Sequence, residues 1–99
     1  MNLNDIIFID NLPSLDLHGF DQAYANIKIN EFIKENIKMQ NDIIVIIHGI
    51  GTGKIKEQTH NTLKHNKNVL DYKLFYKNIG ITLVKIKISA WYLFDNMLE

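Results

Sequence analysis

A chain of 99 residues suffices for one domain with a single core and is too short for a two-lobed enzyme. Its 11 basic and 11 acidic residues cancel, and every basic one is lysine; no global field draws it to nucleic acid, and no guanidinium is present for forked phosphate contacts. Without cysteine, disulfides, thiolate metal sites and cysteine nucleophiles are excluded together, leaving His, Asp, Glu, Lys and hydroxyls for any chemistry.

In chain order, Ile6 to Ile9 reads as a short edge strand or an N-terminal arm over residues 1–12, and Pro13 breaks its continuation. No apolar run approaches a membrane span and no basic flank precedes the N-terminal apolar stretch, so the expectation is a cytoplasmic protein with no membrane partner. Ser14 to His18 alternates, which sends Leu15 and Leu17 to one face of a strand and Asp16 and His18 to the other. Gly19 ends that strand. Asp21 is placed to cap a helix from about residue 22 to 38, whose Ala25, Ile29, Phe32, Ile33 and Ile37 recur at helical spacing.

Ile43 to Ile47 is five consecutive aliphatic residues, the pattern of a central strand covered on both faces, and the helix between two such strands implies a right-handed βαβ unit. The segment His48-Gly49-Ile50-Gly51-Thr52-Gly53-Lys54 follows, and then a second helix to about Asn66 supported by Ile55, Thr59, Thr62 and Leu63. Two more strands are expected near 69–76 and 81–88, joined by a turn at Asn78 to Gly80. In the last, Val84, Ile86 and Ile88 alternate with Lys85 and Lys87, so one face should be buried and the other basic. Lys73, Lys77, Lys85 and Lys87 read first as solvated residues and second as a binding face. The expected architecture is a two-layer α/β sandwich with a four-stranded mixed sheet in the order β-α-β-α-β-β.

The glycine loop is not a Walker loop, because His48 stands where its first glycine belongs and Ile55 where its hydroxyl residue belongs. Nor is it a dinucleotide fingerprint, since Lys54 occupies the third glycine position. A strand, a tight glycine loop and a helix N-terminus remain, which offers backbone amides and a favourable dipole to an anion, with Lys54 and Lys56 adding charge. Glycine also serves simply to turn short βα loops, and an isolated His48 or an Asp16–His18 pair would be ordinary strand-end residues. The functional reading gains weight because both clusters should meet at the carboxyl edge of neighbouring parallel strands, where open α/β sheets place ligands. His60 and His65 are five residues apart, not one helical turn, and read as surface or substrate-flanking residues.

Leu15-Asp16-Leu17-His18-Gly19 together with His48-Gly49-Ile50-Gly51-Thr52-Gly53 resembles the two signatures of the Smr (small MutS-related) domain family. Gly80-Ile81-Thr82-Leu83-Val84 is similar to the family's Gly-x-Thr-x-Val strand, and the resemblance spans residues 13–88. It implies a compact two-layer α/β fold and nuclease activity on DNA or RNA, with messenger RNA at collided ribosomes as the target of some bacterial members. Carried to this chain, it implies Asp16, His18 and His48 as the catalytic set, with Gly49, Gly51, Thr52, Gly53, Lys54 and Lys56 holding the nucleic-acid backbone. RNA is favoured over DNA, the ribosome is a candidate partner, and no resident metal or cofactor is required. Two mechanisms fit: paired histidines as base and acid, with Asp16 orienting His18 or His48, or a divalent cation held by Asp16 and a histidine. The first is preferred because one carboxylate and two imidazoles make a thin metal set.

The sequence departs from the family pattern at Ile50 and Lys56, where basic residues and arginine are frequent, at Tyr24 before Ala25, and in the short Asn78-Ile79 approach to Gly80. These departures support an alternative, a nucleic-acid or ribosome-binding module without turnover. The apolar tail 89–99 is expected to pack back on the domain, with a homodimer contact or a docking segment as the other readings.

Overall fold

The computed structural model describes residues 2–88; the tail 89–99 and its expected packing lie outside them. The elements are β1 (Ser14–Asp16), α1 (Gln22–Lys38), β2 (Ile43–Ile47), α2 (Lys54–His65), β3 (Val69–Phe75) and β4 (Asn78–Ile86). The sheet runs β1-β2-β4-β3, with β1 parallel to β2 and β4 antiparallel to both its neighbours. This is the expected mixed sheet with helices on one face. None of the described helices is long and apolar enough to cross a membrane.

Local chemistry accounts for the helix bounds. The Asp21 carboxylate accepts the Tyr24 N–H at 2.8 Å, satisfying one of the amides that a helix N-terminus leaves unpaired. At the other end, Gln40 N–H donates to Ile37 O and Asn41 N–H to Asn36 O, a Schellman closure that turns the chain toward β2. Ala25, Ile29 and Ile33 of α1 then meet Leu63 of α2, Leu17, Ile44 and Ile46, and Val84 and Ile86 of β4 in one core. Each fully buried aliphatic side chain there contributes about 1.5–3 kcal/mol. Across the top of this layer the helices are stitched by polar bonds, Thr62 to Asn26 at 2.7 Å and Asn66 to Asn30 at 2.9 Å.

The opposite face of the sheet is covered by the N-terminal segment. Leu3–Asp5 forms a single 3₁₀ turn and the chain then runs as an arm, not as an edge strand. Leu3 and Ile6 are buried with Ile43, Val45, Phe75, Ile81 and Leu83 in a second core. That arm is why β2 reads as aliphatic throughout: alternate residues serve two different cores. It also corrects the expectation of a basic sheet face. Lys73 donates to the Asn4 side chain, Lys77 lies 5.1 Å from the Phe8 ring centroid, and Ile81 and Leu83 are buried beneath the arm.

The last hairpin is also tighter than expected. Phe75 pairs with Asn78, so the link is residues 76–77 and the segment Asn78 to Gly80 already belongs to β4. Gly80 is there for another reason than turning: a Cβ on it would meet the Gly49 backbone at 3.3 Å.

Candidate active site

β1 and β2 run in register, Leu15 opposite Ile46 and Asp16 opposite Ile47, and the Leu17 N–H continues the ladder to Ile47 O at 2.9 Å. The two strands therefore end side by side, about 4.8 Å apart, and deliver His18 and His48 to one edge. From there the chain enters α1 on one side and α2 on the other. Gln22, the first residue of α1, donates its side-chain amide to the carbonyl of Lys54, the first residue of α2, at 3.3 Å. Two helix N-termini thus converge on the edge where the motif residues lie, and their dipoles favour an anion there.

The glycine loop, residues 48–56, encloses a hollow of about 210 Å³. Gly49 and Gly53 hold φ of +79° and +86°, a left-handed backbone that a Cβ would oppose by about 1–2 kcal/mol. Gly53 occupies the N-cap of α2 and has no side chain with which to cap it; the Lys54 N–H donates to Thr52 Oγ1 at 3.4 Å, and the amides of Ile55 and Lys56 have no carbonyl of their own helix to meet. The root of the loop is held by β4: the His48 and Gly49 N–H groups both donate to Gly80 O, at 3.0 and 2.9 Å. A larger hollow of about 550 Å³ lies at the far end of α2, lined by Ile33, Ile37, Asn66 and Asn68 among others. It lies away from the glycine loop, and Lys34 and Lys38 of α1 stand at its rim.

His48 is half-buried, with its ring fixed at both nitrogens: Nδ1 lies 2.8 Å from Gly49 O and Nε2 lies 2.8 Å from Thr82 Oγ1. Burial pushes its pKa below the ordinary histidine value, the bond to Gly49 opposes this, and the Lys56 ammonium adds to it. His60, read from the sequence as a surface or flanking residue, proves to be part of the cluster. Its Nε2 is 2.8 Å from the same Thr82 Oγ1, and its ring stands 5.8 Å from that of His48 at 87°. Burial, then His48, then Lys56 depress its pKa as well. The signal that could have found it was the Thr82 position in β4, which shares a sheet face with Val84 and Ile86 beneath α2. His65, in contrast, is exposed and returns to Asn61 O of its own helix.

Asp16 and His18 are exposed. The carboxylate accepts the backbone N–H of His18 at 2.9 Å, a local turn that fixes how the chain leaves β1. The expectation that Asp16 orients a histidine ring is thereby corrected, and the strand pleat supplies the reason. Leu15 and Leu17 pack with the helix-side core, which puts Asp16 on the other face, whereas His48 meets Thr82 and His60 on the helix side. Among the described residues no hydrogen bond joins the side chains of Asp16 or His18 to His48. Strand register brings the ends of β1 and β2 to one edge of the sheet, while the hollow itself is lined by residues 48–56 alone. Lys56 sits near enough to both His48 and His60 to bear on their protonation, while Lys54 is exposed at the start of α2.

Among known proteins, the Smr domain model matches residues 15–87 of this chain. Endonuclease MutS2 of Staphylococcus saprophyticus is 30% identical over 76 residues, covering 74% of this chain and 10% of that protein. Ribosome rescue factor SmrB of a Shewanella species is 39% identical over 44 residues, covering 44% of this chain and 25% of that protein. The chain thus spans a tenth to a quarter of the curated relatives it matches. In fold it is similar to the Smr domain of Thermus thermophilus MutS2, with a TM-score of 0.75 at 22% identity over 77% of this chain and 99% of that one. It is also similar to YdaL, a stand-alone small MutS-related protein of Escherichia coli, with a TM-score of 0.69 at 19% identity over 75% and 63%.

Proposed function

The chain belongs to the Smr domain family, and from that premise we propose that it is an endonuclease domain that cleaves nucleic acid, RNA in preference to DNA. The observation that supports the reading is the parallel pairing that ends β1 and β2 side by side, with the glycine loop leading from β2 into α2 and the first residues of the two helices bonded to each other. Relatives named as an endonuclease and as a ribosome rescue factor support the substrate class. Ribosome-bound messenger RNA is accordingly the natural target, and its delivery by the ribosome would supply the selectivity that a domain this small lacks.

A phosphodiester seated over the hollow is gripped by the loop amides and by Lys54 and Lys56, which also stabilise the charge of the five-coordinate phosphorus as it forms. His18 takes the proton of a ribose 2′-hydroxyl or a water, because its imidazole is exposed and engaged by no hydrogen bond among the described residues. Asp16 holds the His18 turn in place through the backbone. His48, at the root of the loop, is the acid; its Nε2–H, which faces Thr82 Oγ1 in the free protein, is shared with the leaving oxygen and passes to it. The two-histidine scheme needs no metal, and a divalent cation at Asp16 is its competitor.

The test is cleavage of end-labelled single-stranded RNA and matched DNA by purified protein, with and without chelator, beside Asp16→Ala/His18→Ala. Cutting of RNA that persists in chelator and vanishes in the double variant is expected. Loss of cutting in chelator would move the chemistry to a cation. Salt-sensitive binding without cutting, on free RNA and on ribosomes alike, would make the domain a binding module.

A further inference from the structure

An acid that burial biases toward the neutral form must be recharged, and the Thr82 hydroxyl shows how. Gly49 O can only accept, so the His48 nitrogen facing it, Nδ1, carries a proton. In the neutral ring Nε2 is then an acceptor, and the partner 2.8 Å from it, Thr82 Oγ1–H, must donate. The hydroxyl has one proton and has spent it, so it accepts from His60, whose Nε2 lies 2.8 Å away and must carry N–H. One arrangement satisfies every atom: His60 Nε2–H to Thr82 Oγ1–H to His48 Nε2, with His48 Nδ1–H to Gly49 O. Thr82 is fully buried, so no water competes for its hydroxyl. The Nδ1 of His60 is left as an open acceptor among the described residues, on a ring only half-buried.

We infer that His60 is a positioning residue of the site, which through Thr82 supports the His48 tautomer that Gly49 O selects and relays protons to His48. A proton from solvent adds to His60 Nδ1, the His60 Nε2 proton passes to Thr82 Oγ1, and the original hydroxyl proton passes to His48 Nε2. The products are a His48 imidazolium and a neutral His60 protonated at Nδ1, with the hydroxyl now donating to His60 Nε2. No electrons move and each proton lost by one atom is gained by the next. The charged groups and rings facing the pair are Lys56 from α2 and Tyr72 from β3, whose ring lies 5.2 Å from that of His60. Lys56 opposes charge on both rings, so the cation forms fully when a phosphate occupies the loop. The role in turnover rests on the nuclease reading above, whereas the tautomer and the coupling do not.

The experiment is nitrogen-15 spectroscopy of the histidine rings in the full chain from about pH 4.5 to about pH 8, the window around the ordinary histidine value, for wild type, His60→Gln and Thr82→Val. Glutamine keeps a donor toward Thr82 but cannot take up a proton. Wild type is expected to show His48 in its Nδ1–H form at neutral pH and to titrate His48 and His60 as a coupled pair. His60→Gln should keep that tautomer but reduce His48 to a single uncoupled step, and Thr82→Val should uncouple both rings. A His48 found in the Nε2–H form, or a His48 titration in His60→Gln superimposable on wild type, would overturn the inference; this arm holds even where Thr82→Val fails to fold. In the cleavage assay His60→Gln should cut up to about 100-fold more slowly, the lower end of what a general acid–base group contributes, with RNA affinity unchanged. If wild type cuts nothing, the nuclease reading falls and the ring spectra still decide the relay.

Discussion

His48 leaves β2 with both ring nitrogens engaged and its backbone pinned to Gly80, while His18 leaves β1 exposed, with a single local bond from Asp16 to its own main chain. The two turns stand side by side on parallel strands. The difference lies in what is packed beyond them: β2 has β4 for a further neighbour and α2 overhead, whereas β1 is the sheet edge. A ring caught between three elements keeps one geometry and is biased neutral by burial; a ring on an edge can follow a substrate. On the proposed reading, one histidine serves for orientation and the other for reach.

The largest way to break this contrast is to remove the exposed partner. Asp16→Ala/His18→Ala should lower the single-turnover cleavage rate about 10²–10⁴-fold, the usual worth of general acid–base groups. Its unfolding free energy in urea should change by less than about 1 kcal/mol, because both side chains are exposed. A large stability loss would mean that the β1 turn is as tightly built as the β2 turn.

The reverse should hold for the pinned turn. Gly80→Ala sets a methyl 3.3 Å from the Gly49 backbone, and the overpacking should cost about 1–3 kcal/mol in urea unfolding. Retention of full stability would show that the loop root is free to shift.

The neutral bias of His48 and His60 sharpens the contrast on the pH axis. Both folded pKa values lie below the ordinary one, so the unfolded chain binds more protons at mild acidity. Stability is then full above about pH 6.5 and falls as the pH drops below it. Thermal melts should show that loss shrinking when His48 and His60 are both replaced by Gln. An unchanged acid limb in the double variant would place the bias elsewhere.

The smallest effect concerns the lysines. Replacing Lys54 or Lys56 by Ala should weaken RNA binding uniformly across sequences and reduce the salt dependence by about one counterion each. Lys85→Ala, set beside the arm, should leave it unchanged. The opposite ranking would return the basic face of the sheet to the binding surface.

Much of this was written locally and could be read so. Alternation placed Leu15 and Leu17 against the helices, Asp21 marked the start of α1, five aliphatics marked the central strand, and the glycine spacing marked a loop over a helix N-terminus. What stayed illegible was whatever depended on which strand lies next to which. Gly80 looked like a turn residue and is a contact residue for Gly49; nothing local showed that Lys73 and Lys77 would meet Asn4 and Phe8 of the arm. The tie from His48 to His60 runs through Thr82, 34 residues from the one and 22 from the other. The sequence by itself determined the faces and ends of the elements, because side-chain period and capping are properties of a few neighbouring residues. Only the tertiary structure decided the insertion of β4 between β2 and β3, since strand pairing across distant segments is settled by the shared core and leaves no period in the chain.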